Sequence, residues 1–497
     1  MERIRNFPRD IGAVFALLLL VWGIFSIISI QTHNHFQTFG WDLGFFDQII
    51  WKVSRGDLIA YSTIAHENLL ADHFQPVLYF LAPLYMIKTD VRMILIGQAF
   101  IVVMAALPLY LLTKKTTKSL FFSFSICMSY LLFIGTQWTI LNEFHQMAFA
   151  PLFLALFFYS LETRRTIMYW VSLGGLIGTK EELGLLVVPL GLVVWLFYKK
   201  KRLGLVTMAI GLLSFFTLIY IIMPFFSVRG IYSHNDFGVA GYTVSDVLKK
   251  SISDPLFFIR SMIIPEVKLR TVISSLFSYG FLPLFSPIHM IPIIGHFASR
   301  FIYAGPQFTK WVNVNHHAAP LGILLSIASV YSISKYSDLI SRRIKLGRKN
   351  VFVLFGVYVI FFALAQDVYF RGPIHSIAKM QLYENQSWMS DIEEVLKKIP
   401  HDAPVSSQNN LVPHISQRDN ISLLPEIRNA SYIAIDMHES PNAFSPLTKN
   451  QMKVCFEDLL LNKKFSVIVQ KGEAYLLKRN EDVKETNNEL QECKYEI

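Results

Sequence analysis

The sequence predicts an α-helical polytopic membrane protein of about 11 transmembrane helices, followed by a small C-terminal α/β domain on the extracytoplasmic side. Three observations lead there. The 497 residues are 53% hydrophobic and only 16% charged, with a mean hydropathy of +0.40, too apolar for an ordinary soluble core. Long apolar runs alternate with short basic clusters. After residue 370 that alternation stops, and short strand-like and helix-like segments with polar turns take over.

A spanning helix needs roughly 20 apolar residues, and runs of about that kind lie at 11–30, 91–112, 119–136, 147–161, 167–179, 183–198, 204–226, 318–335 and 351–369. The first follows a basic start (Arg3, Arg5, Arg9) but is long enough to span and lacks a small-residue cleavage site, so it reads as a retained helix rather than a signal peptide. Lys and Arg favour the cytoplasmic side. Placing the amino terminus, Lys114-Lys115-Lys118, Arg164-Arg165, 199–202 and 342–349 there gives one consistent path. Segments 31–90 and 227–271, the turns at Glu143 and 180–182, and everything after Tyr369 then face outward. The apolar stretch 74–87 is too short to cross and would invert the charge pattern, so it reads as an interfacial or re-entrant piece. Segment 272–297, interrupted by Pro283, Pro287 and Pro292, reads as two short helices or a hairpin.

The boundary expected from this pattern is a membrane domain over 1–370 and a soluble domain over 371–497. In the latter, 391–398 looks helical, 403–407 and 432–436 look like strands, and 465–470 with 473–478 flank a Lys471-Gly472 hairpin turn. Asn-x-Ser triplets begin at Asn385, Asn420 and Asn429 and suit an outer location. Three cysteines, Cys127, Cys455 and Cys493, show no ligand-like spacing, so neither a disulfide framework nor a zinc site is expected. The formal charge of +10 is spread over topological clusters rather than one stripe, so no nucleic-acid partner is expected.

Chemistry concentrates in the outer segments. GWDLGFFDQIIW at 40–51 and HENLLADHFQP at 66–76 place Asp42, Asp47, His66, Glu67, Asp72 and His73 in one loop, a set able to supply a general base or metal ligands. The plainer reading is that an outer loop is polar because it meets water. NEFH at 142–145 puts Glu143 and His145 in a turn of a few residues. TKEE at 179–182 sets Lys180, Glu181 and Glu182 inside an apolar stretch, where charge is costly and tends to be paired or functional. NVNHHAAP at 313–320 adds His316 and His317, of which helical geometry would aim only one at a site. Arg229, Arg260, Lys268, Arg270 and Arg300 are outward cations suited to a lipid phosphate or to simple solvation. Walker, G-x-S-x-G and H-E-x-x-H motifs are absent from the sequence.

These stretches, together with HFQPVLYFLAPLY, NEFHQMAFAPLFLAL, GTKEELGLLVVPLGL, NHHAAPLGILLSI and VSSQNNLVPHISQRDNISLLP, resemble the family of predicted membrane proteins called domain of unknown function 2079, over nearly the whole chain. That family is in turn similar to the C-type glycosyltransferases. The resemblance implies transfer of a sugar from a polyprenyl-phosphate donor to a glycan, lipid or protein acceptor on the outer face. It implies Asp42, or else Asp47, as the base, with Lys180 or an outer Arg on the phosphate. His66, Glu67, His73, Glu143, His145, Glu181, Glu182, His316 and His317 would then contact substrate. The chain lacks the paired Asp-Glu or Asp-x-Asp of several members, so no metal is carried over: a divalent ion is compatible with the loop carboxylates but has no motif. The competing expectation is a transporter or lipid flippase using Lys180, Glu181 and Glu182 as a polar path.

Overall fold

In the computed structural model the described residues are 9–234, 240–302, 305–461 and 463–480; Arg3, Arg5 and Cys493 lie outside them. The apolar runs fold as helices because nothing else satisfies backbone polar groups in hydrocarbon. Among the described residues six are long and apolar enough to cross a membrane: Arg9–Asn34, Arg92–Thr117, Gln146–Thr163, Lys201–Phe226, Phe308–Ile344 and Arg348–Tyr369. A 26-residue helix reaches about 39 Å, ample for a hydrocarbon core of about 30 Å. A seventh crossing is broken: Leu120–Leu132 and Ile134–Leu141 meet at 52°, because Phe133 takes an extended ψ of 126° between them. Pro76–Ile87, Thr166–Ile177 and Leu183–Leu196 are shorter apolar helices. The stretch around 272–297 is two helices, Glu266–Phe277 and Pro287–Phe301, joined through a 3-10 turn at Leu282–Phe285.

The chain divides into two compact units. The first comprises 1–26, 73–77 and 98–375. One end of its helices gathers Asp10, which accepts from Lys114 at 2.6 Å and Tyr110 at 2.7 Å, and the Glu162–Tyr331–Tyr198 chain, with contacts of 2.5 and 2.6 Å. Helices Leu183–Leu196 and Lys201–Thr217 pack through glycines. A Cβ on Gly191 would meet the Gly204 carbonyl at 2.8 Å, and one on Gly211 the Gly184 carbonyl at 2.7 Å. Such close approach is how helices associate where lipid removes the hydrophobic drive, and it fixes the Lys180 turn that precedes the pair.

The second unit comprises 27–72, 78–97 and 376–497. It contains a short hairpin, β1 (Tyr61–Ser62) and β2 (Glu67–Asn68), and a five-stranded sheet of β3 (Val405–Ser407), β4 (Ile421–Leu423), β5 (Tyr432–Asp436), β6 (Phe465–Lys471) and β7 (Ala474–Arg479) in the order β4-β3-β5-β7-β6. The first three strands are parallel and β7 and β6 join antiparallel. Helix Ser387–Leu396 and helix Lys449–Leu461 accompany the sheet, and Ile433, Ile435, Met452, Cys455, Leu459 and Leu477 form its core. Cys455 is disulfide-bonded, which corrects the expectation of no disulfide, whereas Cys127 is free and buried. Three cysteines far apart in sequence carry no spacing signal for such a bond.

The same unit takes in the first loop. Gly40 N–H donates to the Asn409 carbonyl at 2.8 Å. A Cβ on Gly40 would sit 2.7 Å from Leu423 and one on Gly44 2.9 Å from Val412, so glycine is required for this approach. Gln48 ties the loop further: its amide donates to Thr63 Oγ1 at 2.9 Å and to the Arg418 carbonyl at 3.0 Å, and its oxygen accepts from Ser62 at 2.9 Å.

Candidate active site

In the first unit, the polar turns between apolar helices come together opposite the Asp10 end. Gln98 builds one of them. Its amide donates to the carbonyls of Ile140, at 2.8 Å, and Glu143, and its oxygen accepts from His145 N–H at 2.8 Å. Glu143 closes this turn with a left-handed φ of 56°. The His145 ring lies against His316, ring centroids 3.5 Å apart, and His316 against His317 at 4.1 Å. The expectation that only one of the two adjacent histidines faces the site is overturned. They occupy a 3-10 turn, His316–Ala318, capped by the Asn315 side chain, not the α-helix that would splay them.

The turn 178–182 supplies the charge. Lys180 is 4% exposed and Glu181 1%. Glu181 accepts from His73 Nδ1 at 2.8 Å, Phe74 N–H at 3.2 Å and Tyr232 OH at 3.1 Å, and the His73 ring stacks on His234 at 4.0 Å. Burial pushes the Glu181 carboxyl up, but His73, Lys180 and His234 overcome this and hold it well below the usual carboxylate range. Lys180 pairs with Glu182 at 3.6 Å, and its field reaches His145, His316, His317 and Lys310. Burial first, then Lys180 and His73, bring His145 down to about 3, so it stays a neutral imidazole.

Of the outward cations, Arg300 is the one drawn into this cluster, 4% exposed. Its guanidinium donates to the carbonyls of Lys310 at 2.8 Å and Val312 at 2.6 Å and to Asn313 Oδ1 at 3.2 Å, holding the loop that delivers His316. Lys268 is buried too, but its ammonium caps the Ser261 and Phe301 carbonyls at 3.0 and 2.7 Å. Arg270 pairs with Glu266 at the surface, and Arg229 and Arg260 are exposed. Sequence reasoning missed Lys310, Tyr232 and His234. A lysine six residues before a His-His pair was the available signal for the first.

The second unit holds Asp42, Asp47, His66 and Glu67. Asp42 lies half-buried in a single π-turn, Gly40–Gly44. Burial, and then the like charge of Asp72, push its carboxyl up to about 6, where a base can work near neutral pH. Asp47 is wholly buried and accepts from Tyr85 OH, from Ser416 Oγ at 2.5 Å and from Gln417 Nε2 at 3.0 Å. Burial outweighs those donors and raises it to about 6. Its oxygens are committed to holding the loop. His66 Nε2 contacts Glu426 at 2.8 Å and Arg428 at 2.9 Å. Glu67 is buried, its Oε1 accepting from Asn68 N–H at 3.0 Å. The predicted residues thus fall into two groups: His73, Glu143, His145, Lys180, Glu181, Glu182, His316 and His317 in one unit, and these four in the other.

Two crystal structures of ArnT from Cupriavidus metallidurans resemble the chain. The one bound to undecaprenyl phosphate matches at 13% identity and a TM-score of 0.47, covering 95% of this chain and 98% of that one. The apo form matches at 12% and 0.47, covering 94% and 97%. No curated protein matches. The family model described as predicted membrane protein DUF2079 matches residues 32–460. With most of its length inside that match and six helices able to span a bilayer, the chain is a multi-pass membrane protein belonging to the DUF2079 family.

Proposed function

We propose that this protein is a C-type membrane glycosyltransferase that moves a sugar from a polyprenyl-phosphate donor to an acceptor on the extracytoplasmic face. The observation that carries the reading is the gathering in the first unit of Lys180 and Arg300, each 4% exposed, and half-buried Lys310 with His145, His316 and His317, beside the carboxylates Glu143, Glu181 and Glu182. Burying cations is costly, and a bound anion lowers that cost. A phosphate on an apolar tail matches both the charge and the surrounding hydrocarbon-facing helices. The buried Nδ1 of His316 lacks a protein partner among the described residues, and a phosphate or sugar hydroxyl would satisfy it.

In this scheme Asp42 takes the proton of the acceptor hydroxyl as its oxygen bonds to the anomeric carbon. The bond from that carbon to the phosphate oxygen breaks, and the phosphate leaves with the electron pair; within the first unit, Lys180 and Lys310 are the cations suited to a lipid phosphate. Arg300 and Asp47 position the loops. Glu143, His145 and His317 orient hydroxyls. The topology that accompanies the reading has about 11 crossings, with 1–370 as the membrane domain and 371–497 extracytoplasmic. The Asp10–Lys114 contact supports a shared basic end, and the disulfide at Cys455 supports an oxidising compartment for the tail.

The test is a proteoliposome assay with a radiolabelled polyprenyl-phosphate sugar. The wild type should transfer label to an acceptor or, without one, release free sugar and lipid phosphate slowly, and Asp42→Asn should do neither while inserting normally. Movement of intact donor across the bilayer without cleavage would instead establish the flippase alternative.

A further inference from the structure

The second unit carries a cavity of about 300 Å³ whose walls include Gln31, Asn34, Arg92, Tyr383, Asn385 and Glu393. None of these residues takes part in the chemistry assigned above. The volume sits at the lower end of small-molecule sites, which run roughly from 300 to 1,000 Å³. Its polar wall is built in advance. Asp90 meets the Arg92 guanidinium at 3.3 Å, Arg92 Nε donates to Asn34 Oδ1 at 2.9 Å, and Asn34 Nδ2 donates to Gln31 Oε1 at 3.3 Å. This relay fixes three side chains in a row. It leaves the Gln31 amide N–H groups and the outer guanidinium nitrogen of Arg92 without a protein partner among the described residues. The wall also includes the Asn385 amide, the Glu393 carboxylate, which Lys397 meets at 3.3 Å, and a Tyr383 ring that is 44% exposed.

The geometry points to a carbohydrate-binding site. Amides, a guanidinium and a carboxylate side by side pair with vicinal hydroxyls as donors and acceptors alike, and the phenol ring offers a face to the C–H side of a pyranose. A phosphorylated ligand fits poorly, because the one arginine in the wall already meets Asp90 and the wall holds a carboxylate, Glu393. A peptide side chain fits poorly as well, because Met389 is the only aliphatic side chain in the wall. The ligand is a neutral mono- or disaccharide unit. Resting on the transferase reading, this makes the acceptor a saccharide, held through the end of the first membrane helix and the tail domain.

The experiment is direct binding of the full-length, detergent-solubilised protein to an array of neutral mono- and disaccharides, with affinities taken by titration calorimetry. The wild type should retain at least one of them. Asn385→Ala and Glu393→Gln, both at exposed positions that leave the fold intact, should each weaken it at least fivefold, and the double variant should abolish it. No saccharide retained by the wild type, or an affinity unchanged in both single variants, overturns the site. A wild type that transfers no label from a polyprenyl-phosphate sugar while binding behaves as described would sink the transferase assignment alone.

Discussion

The acid limb of the pH profile offers the sharpest test of Asp42. A carboxyl raised from 3.8 to about 6 by burial and by Asp72 is inactive as a base while protonated. The ionised fraction at pH 5 is then about one in eleven and at pH 7 about ten in eleven, so kcat/KM should rise roughly tenfold between them. An unperturbed Asp would be over nine-tenths ionised at pH 5 already and would show almost no rise. Asp72→Asn removes the like charge and should move the limb to lower pH without abolishing turnover. The assay is release of lipid phosphate in proteoliposomes buffered identically on both faces, with thermal stability followed in parallel. The stability sign runs the other way: because the folded state holds this proton more tightly than the unfolded chain, stability declines as pH rises from about 4 to 6 and is flat above. A rate that falls with stability over that interval, or stays constant, would refute the assignment of Asp42 as the base.

Three further outcomes follow from the geometry. Asp47→Ala strips acceptors from Tyr85, Ser416 and Gln417 and should cost about 3–5 kcal/mol, whereas Asp47→Asn should cost much less because it keeps an amide oxygen as acceptor and removes a charge that burial disfavours. A fluorogenic thiol dye reporting exposure of buried Cys127 would read both. Lys180→Met should lower kcat/KM for the lipid-phosphate donor at least a hundredfold, or about 2.7 kcal/mol, in steady-state assays, with Lys180→Arg restoring part of it. Reduction with dithiothreitol, or Cys455→Ser, should lower stability by about 2–4 kcal/mol, measured by intrinsic fluorescence on heating, and an unchanged melting temperature would show that the bond contributes nothing.

The membrane helices were legible because some 20 apolar residues in a row have few other fates, and the hairpin around Lys471-Gly472 because its turn chemistry is local. The break at Phe133 was not, since the run is apolar on both sides and the bend follows from one backbone angle. Strand β4 is only three residues, Ile421–Leu423, too short for alternation to declare it. The site was half legible. Lys180, Glu181 and Glu182 stood out against hydrocarbon, and Asp42 stood out by its loop. The burial of Arg300 depends on its reaching three acceptors on residues 310, 312 and 313, which no spacing rule encodes. The same applies to Asp47, whose partners Ser416 and Gln417 lie 369 and 370 positions away.

Those separations set a schedule for biogenesis. The segment carrying Gly40, Gln48 and Asp47 leaves the ribosome early, yet the chain that completes it starts only at residue 376. At about 5–20 residues per second, a nascent chain waits roughly 20–70 s with Phe45, Phe46, Ile49 and Ile50, all buried at maturity, still uncovered. Truncations that stop before Asn409 should therefore be cleared by quality-control proteases even though every membrane helix has been made.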